Sequence, residues 1–88
     1  MSLTADQKLR QRARQVIPGG MYGHLRSDRL PEGYPQFFAR GEGCHLWDVN
    51  GRRYVDFMCS WGPIVVGHGN PVVAEAVARQ MAAGDCLN

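Results

Sequence analysis

Eighty-eight residues allow one small domain and are too few for a large self-contained enzyme. With 44% hydrophobic and 20% charged residues and no apolar run near the roughly 18 residues of a spanning helix, the chain reads as soluble, neither a disordered tract nor a membrane protein. A net charge of +2 does not argue for nucleic acid or a membrane surface, although Lys8 and five arginines make the first third basic while the remainder is mildly acidic.

Thr4 followed by Gln7 has the form of a capping box, and Leu9, Ala13, Val16 and Ile17 then recur at helical spacing, which predicts a helix over residues 5–17. Pro18-Gly19-Gly20 ends it, because proline cannot continue the ladder and glycine accepts positive φ. Residues 18–36 show no sustained period and carry Pro31, Gly33 and Pro35, so they read as a loop shaped by whatever it packs on.

Residues 37–58 read as strands, with Phe37 to Arg40 a short first one. Asn50-Gly51 between Cys44 to Val49 and Arg52 to Met58 predicts a type I′ hairpin in which Asp48 faces Arg53, Trp47 faces Tyr54 and Leu46 faces Val55. Residues 59–70 form a loop, and Asn70 with Pro71 starts a second helix over 71–83, with Val73, Ala76, Val77, Gln80 and Met81 on one side and a stop at Gly84. The fold class is α+β: a helix, a small antiparallel hairpin sheet and a following helix. A hairpin and two amphipathic helices have too little core of their own, so residues 1–88 read as the front of something longer.

Cys44, Cys59 and Cys86 are an odd number at wide spacings, with no CxxC pair and no signal peptide. They predict buried or half-buried thiols in a cytoplasmic protein and no metal site. Searches for a phosphate loop, GxSxG or paired histidines fail, and Lys8, the sole lysine, falls on a charged helix face. Asp48 and Asp56 are a candidate carboxylate pair, with Arg53 offering Asp48 a plain structural partner.

Three features remain. Tyr22, His24 and Arg26 alternate in the aperiodic segment, where extended backbone would point all three the same way and give a guanidinium suited to a carboxylate. On composition alone the surface-arginine reading of Arg26 is the preferred one. Trp61, between Ser60 and Gly62-Pro63, covers either a core or a flat ligand, and His68 between two glycines reads as a loop-to-helix hydrogen-bonding residue.

The stretches ARQVIPGGMYGHLR, ARGEGCHLWDVNGRRYVDFMCSWGPIVVGHGNP and VVAEAVARQMAAG, taken in order, resemble the amino-terminal segment of the class III aminotransferases, pyridoxal-phosphate enzymes of fold type I. The resemblance is nearest to their glutamate-1-semialdehyde aminomutase-like branch and covers about residues 13–84. It implies an enzyme that moves an amino group on a carboxylate-bearing substrate with pyridoxal 5′-phosphate (PLP), and a homodimer. Residues 1–88 would be the front of its small domain. The Schiff-base lysine and the large cofactor-binding domain would lie outside these residues, leaving no catalytic residue here. Arg26 matches the arginine that receives the substrate carboxylate, with Tyr22 and His24 beside it in the substrate pocket. Trp61 matches the tryptophan of the S-W-G-P motif, with Ser60 and Gly62 beside the cofactor. Tyr22-Gly23-His24 stands where that branch has Asn-Ser-Pro, which implies a reshaped pocket. The rival is a non-catalytic interaction module or pseudo-enzyme built from the same small domain.

Overall fold

The computed structural model describes residues 2–87. Helix α1 spans Ala5–Val16. Its capping box forms as the spacing requires, with Thr4 Oγ1 accepting the Gln7 N–H at 3.2 Å and Gln7 Oε1 accepting the Thr4 N–H at 2.9 Å. A cap of this kind contributes about 1 kcal/mol. The chain leaves α1 at Ile17 and turns through a short 3₁₀ segment, Pro18–Gly20, in which Gly19 takes φ 72°.

The aperiodic loop is shaped by contacts with α1. Arg14 Nε donates to Ser27 Oγ at 3.3 Å, Gln36 Nε2 donates to the Gly20 carbonyl at 2.7 Å, and Ser27 is buried at the head of a 3₁₀ turn, Ser27–Arg29. Buried Asp6 anchors the far end. Its carboxylate accepts the N–H groups of Gln36 and Phe37 at 2.9 Å each, and its second oxygen meets Arg10 Nε at 2.6 Å. The Arg10 guanidinium also donates to the Tyr34 carbonyl.

Strands β1, Phe38–Glu42, β2, His45–Asp48, and β3, Arg53–Val55, form an antiparallel sheet in the order β1-β2-β3. The hairpin register departs from expectation by one residue: Trp47 faces Arg53, Leu46 faces Tyr54 and His45 faces Val55. The expected Asp48–Arg53 ion pair does not occur among the described residues. The reason is the Asp48 carboxylate, which accepts the N–H groups of Asn50 and Arg52 at 2.9 and 2.8 Å and closes an Asx turn. The Gly51 N–H then donates to the Asp48 carbonyl at 3.0 Å and Gly51 takes φ 90°. This is a three-residue loop over residues 49–51 with a glycine bulge, not the two-residue type I′ turn. The slip changes which side chains share a face. Tyr54 now reaches Asp48 with its hydroxyl at 2.9 Å and packs edge-on against Phe38 with centroids 5.8 Å apart. On the opposite face Arg40 sits 3.7 Å over the Trp47 ring.

Helix α2 spans Pro71–Ala83, capped by Asn70 Oδ1, which accepts from Val72 and Val73 at 3.0 and 3.2 Å, and stopped at Gly84 with φ 125°. Its apolar residues Val72, Val73, Val77 and Met81 are all exposed. Ala13 is the one buried apolar side chain among the described residues, and the other buried side chains are Asp6, Ser27 and Asp48. Hydrogen-bonded acids thus hold these elements together more than an apolar core does. The expectation of buried or half-buried thiols fails for Cys44 and Cys86, which are exposed; only Cys59 is half-buried. Cys44 sits in the turn between β1 and β2, and Cys86 follows the end of α2. No helix among the described residues is long and apolar enough to cross a membrane, and none of their His, Cys, Asp and Glu side chains form a group suited to a metal ion.

Candidate functional site

A cleft of about 930 Å³ opens where the loop before β1 faces the end of β3 and the turn after it. Tyr22, Tyr34 and Pro35 of the loop line it together with Tyr54, Phe57, Met58, Ser60 and Trp61, and Arg52, Asp56 and His68 are its polar lining residues. An aromatic wall with a few convergent polar groups is the composition of a small-molecule site. Trp61 is 69% exposed and Phe57 93%, so their rings face open space.

The Trp61 position follows from an unusual turn. Cys59, Ser60 and Trp61 hold φ of 52°, 50° and 64°, and Gly62 follows at 116°. The N–H groups of Trp61 and Gly62 are committed to the Met58 and Cys59 carbonyls at 3.0 and 2.9 Å. This stretch therefore offers a ligand the indole face and the Ser60 hydroxyl rather than those two amides.

Three acids around the cleft have displaced ionisation. Burial opposes the charge on Asp48, but the N–H of Arg52, the Tyr54 hydroxyl and the N–H of Asn50 overcome it and hold the carboxyl below its ordinary range. The Cys59 N–H and then His68 lower Asp56 against the opposing effect of burial. Tyr54 is pushed up by burial and by the hydrogen bond it gives Asp48, so it stays a neutral donor.

The residues expected to share a site are only partly brought together. Tyr22, Ser60 and Trp61 line the cleft, whereas His24, Arg26 and Gly62 do not. The expected extended segment from Tyr22 to Arg26 is corrected by a turn: the Leu25 N–H donates to the Tyr22 carbonyl at 3.3 Å and Gly23 takes φ 63°. Tyr22 and His24 therefore do not lie along one extended face with Arg26. The Arg26 guanidinium lies against Asp28, with Nε at 3.3 Å from Oδ1, and both side chains are exposed. Asp48 and Asp56 do not act as a carboxylate pair, since each is spent on its own turn and partner. Sequence reasoning missed the pairing of Asp56 with His68 at 2.6 Å, because the two lie twelve positions apart with no periodic pattern between them.

As a cofactor surface the cleft offers a flat indole, a hydroxyl and the Arg52 guanidinium, a donor set that fits the flank of a flat anionic ring such as PLP. It offers no amine: Lys8 lies exposed on α1 and does not line the cleft.

Comparison with known proteins places this arrangement. The chain is 49% identical over 72 residues to glutamate-1-semialdehyde 2,1-aminomutase of Chloroflexus aurantiacus, covering 82% of this chain and 16% of that protein. It is 46% identical over 84 residues to the enzyme of the same name from Nitrosomonas europaea, covering 96% of the chain and 19% of the relative. The chain thus spans less than a fifth of either relative's length. Among solved structures it resembles an omega-transaminase from Sphaerobacter thermophilus, with TM-score 0.79 and 36% identity over 96% of this chain and 18% of that one. It also resembles the FumI protein of Sphingopyxis sp. MTA144 in its PLP internal aldimine form, with TM-score 0.81 and 41% identity over 94% of this chain and 20% of that one. The α+β arrangement described above is therefore part of a PLP fold type I architecture. With residues 29–88, from the turn beside Arg26 through the Trp61 loop and α2, matching the profile described as Aminotransferase class-III, the chain belongs to that family.

Proposed function

We propose that the intact protein is a PLP-dependent aminotransferase or aminomutase acting on a carboxylate-bearing substrate, and that residues 1–88 form the front of its small domain. The observation that carries this reading is the 49% identity to an aminomutase across the stretch that builds the cleft. PLP, when bound, supplies the electron sink through which an amino group is moved. The residues of this chain bind and enclose. Trp61 covers one face of the reacting region, Ser60 offers its hydroxyl beside the cofactor, and Gly62 lets the chain turn away without a side chain. Tyr22 closes the cleft from the loop before β1, and His24, two residues on in the same loop, contributes to the substrate pocket. Arg26 exchanges Asp28 for the substrate carboxylate, a bidentate partner for which a guanidinium is suited. The protein works in the cytoplasm as a homodimer.

The test is the intact polypeptide purified in the presence of PLP. Its bound cofactor should show a visible absorbance band that an added amino donor shifts, and light scattering should give twice the subunit mass. A polypeptide that takes up no PLP, or whose bound PLP responds to no amino donor, overturns the proposal.

A further inference from the structure

Cys59, Ser60 and Trp61 hold a left-handed backbone that side chains other than glycine rarely adopt, and such a run persists only where its surroundings over-determine it. The hydrogen bonds within the turn do not select its hand, since i to i+3 bonds form equally in a right-handed turn. Asp56 fixes where the turn begins, although accepting from residues two and three ahead, as Asn70 does at right-handed α2, does not choose the hand either. Asp56 Oδ1 accepts the N–H groups of Met58 and Cys59 at 2.9 and 3.0 Å, the second being the first residue of the left-handed run. Its Oδ2 lies 2.6 Å from His68 Nε2. An ionised carboxylate only accepts, so the Nε2–H of His68 is the donor.

His68 is fixed from two further directions. Its backbone exchanges hydrogen bonds with Gly43 at 2.8 and 2.9 Å, and its ring rests on Gly41, where an added Cβ would come within 2.7 Å of His68 Cγ. The two side chains are 17% and 8% exposed. A sheet-anchored imidazole thus grips one oxygen of Asp56 while the other oxygen grips the start of the turn.

We propose that Asp56 and His68 are positioning residues: through the left-handed turn they hold Ser60 and Trp61 against the cleft, a role that rests on the functional reading above. His68 sets the carboxylate, the carboxylate sets the Cys59 amide, and the turn aims the indole and the hydroxyl.

The experiment uses the intact polypeptide labelled with 5-fluorotryptophan, the resonances of Trp61 and Trp47 being assigned by their loss in Trp61→Phe and Trp47→Phe. His68→Phe keeps a ring on Gly41 but gives Asp56 no donor. In the cofactor-free protein it should move the Trp61 resonance by more than its linewidth and leave Trp47 in place. His68→Gln, which restores a donor, should return Trp61 toward its original position. In the loaded enzyme His68→Phe should lower kcat/KM about tenfold, the scale expected for a small misplacement of a contacting group. An unmoved Trp61 resonance in His68→Phe overturns the proposal, as does a change in which Trp47 moves with Trp61, or a Gln variant indistinguishable from Phe. Failure to bind PLP would overturn the functional reading alone, because the resonance comparison needs no cofactor.

Discussion

The ring of His68 occupies the space that a side chain on Gly41 would need: a Cβ there would lie 2.7 Å from Cγ and 2.9 Å from Cβ of the histidine. Gly41 has ordinary strand backbone, so its requirement is for room and not for positive φ. The close approach lets the loop after Val66 return to the sheet and pair at Gly43.

Gly41→Ala should therefore destabilise the intact protein by about 1–3 kcal/mol, the range for overpacking a site that cannot relax freely. Urea unfolding is the measurement. A midpoint equal to that of the unsubstituted protein would show that the His68 ring swings aside without penalty.

Asp6 joins parts of the chain far apart in sequence: its carboxylate holds the Gln36 and Phe37 amides, and its own N–H donates to Asn50 Oδ1 at 3.1 Å. Asp6→Ala leaves two amides and the Arg10 guanidinium without their acceptor and should cost about 2–3 kcal/mol, as losing charge-assisted bonds does. Asp6→Asn keeps one oxygen and should cost less. Equal losses for the two substitutions would mean that the anion, not the pair of accepted amides, carries the effect.

Local signals were legible in the sequence. The Thr4–Gln7 box and the Asn70-Pro71 start each involve residues within three positions of one another, and both ends form where the spacing places them. The hairpin was legible as a hairpin but not in register. The Asn50-Gly51 pair competes with an Asp48 carboxylate that captures the turn amides, and a one-residue slip leaves the hydrophobic pattern of a three-residue strand nearly as well satisfied. The site was less legible still. Trp61 stands out by its setting and Ser60 only through the family resemblance, and their presentation depends on Asp56 and His68, whose partnership leaves no periodic trace. Asp6 likewise looks like an ordinary first-turn acid of α1 paired with Arg10, and its other partners lie 30 and more residues away.

Asp48 and Asp56 set the pH dependence of the sheet end. In the folded chain both carboxyls lie below the ordinary value of 3.8, so the unfolded chain binds protons first on acidification. The stability they contribute is present in full above the unfolded value and is lost as pH falls through the lowered folded values. Urea midpoints should therefore hold steady toward neutrality and decline once the pH drops below the usual carboxylate range. Asp48→Asn and Asp56→Asn should each start from a lower midpoint and decline less steeply. Parallel acid limbs in all three proteins would remove these two groups as the cause.

Arg26 and Asp28 provide the sharpest check on the substrate side. The Arg26 guanidinium holds the Asp28 carboxyl below its ordinary range, and the pair is exposed, with Nε and one terminal nitrogen at 3.3 and 3.4 Å from the two oxygens. If Arg26 receives a substrate carboxylate, Asp28 competes with the substrate for the same fork of donors. Asp28→Asn should then lower KM for a carboxylate substrate in the intact enzyme, by about two- to fivefold, because an exposed ion pair is a weak competitor. Arg26→Ala should raise KM for that substrate about tenfold or more, the loss expected when a desolvated charge pair is broken. It should also cancel the effect of Asp28→Asn in the double variant, since the two residues act through one contact. An amine substrate without a carboxylate should respond to neither change. A KM that stays level or rises in Asp28→Asn would mean that Arg26 is a surface residue paired with its neighbour and that the carboxylate is bound elsewhere.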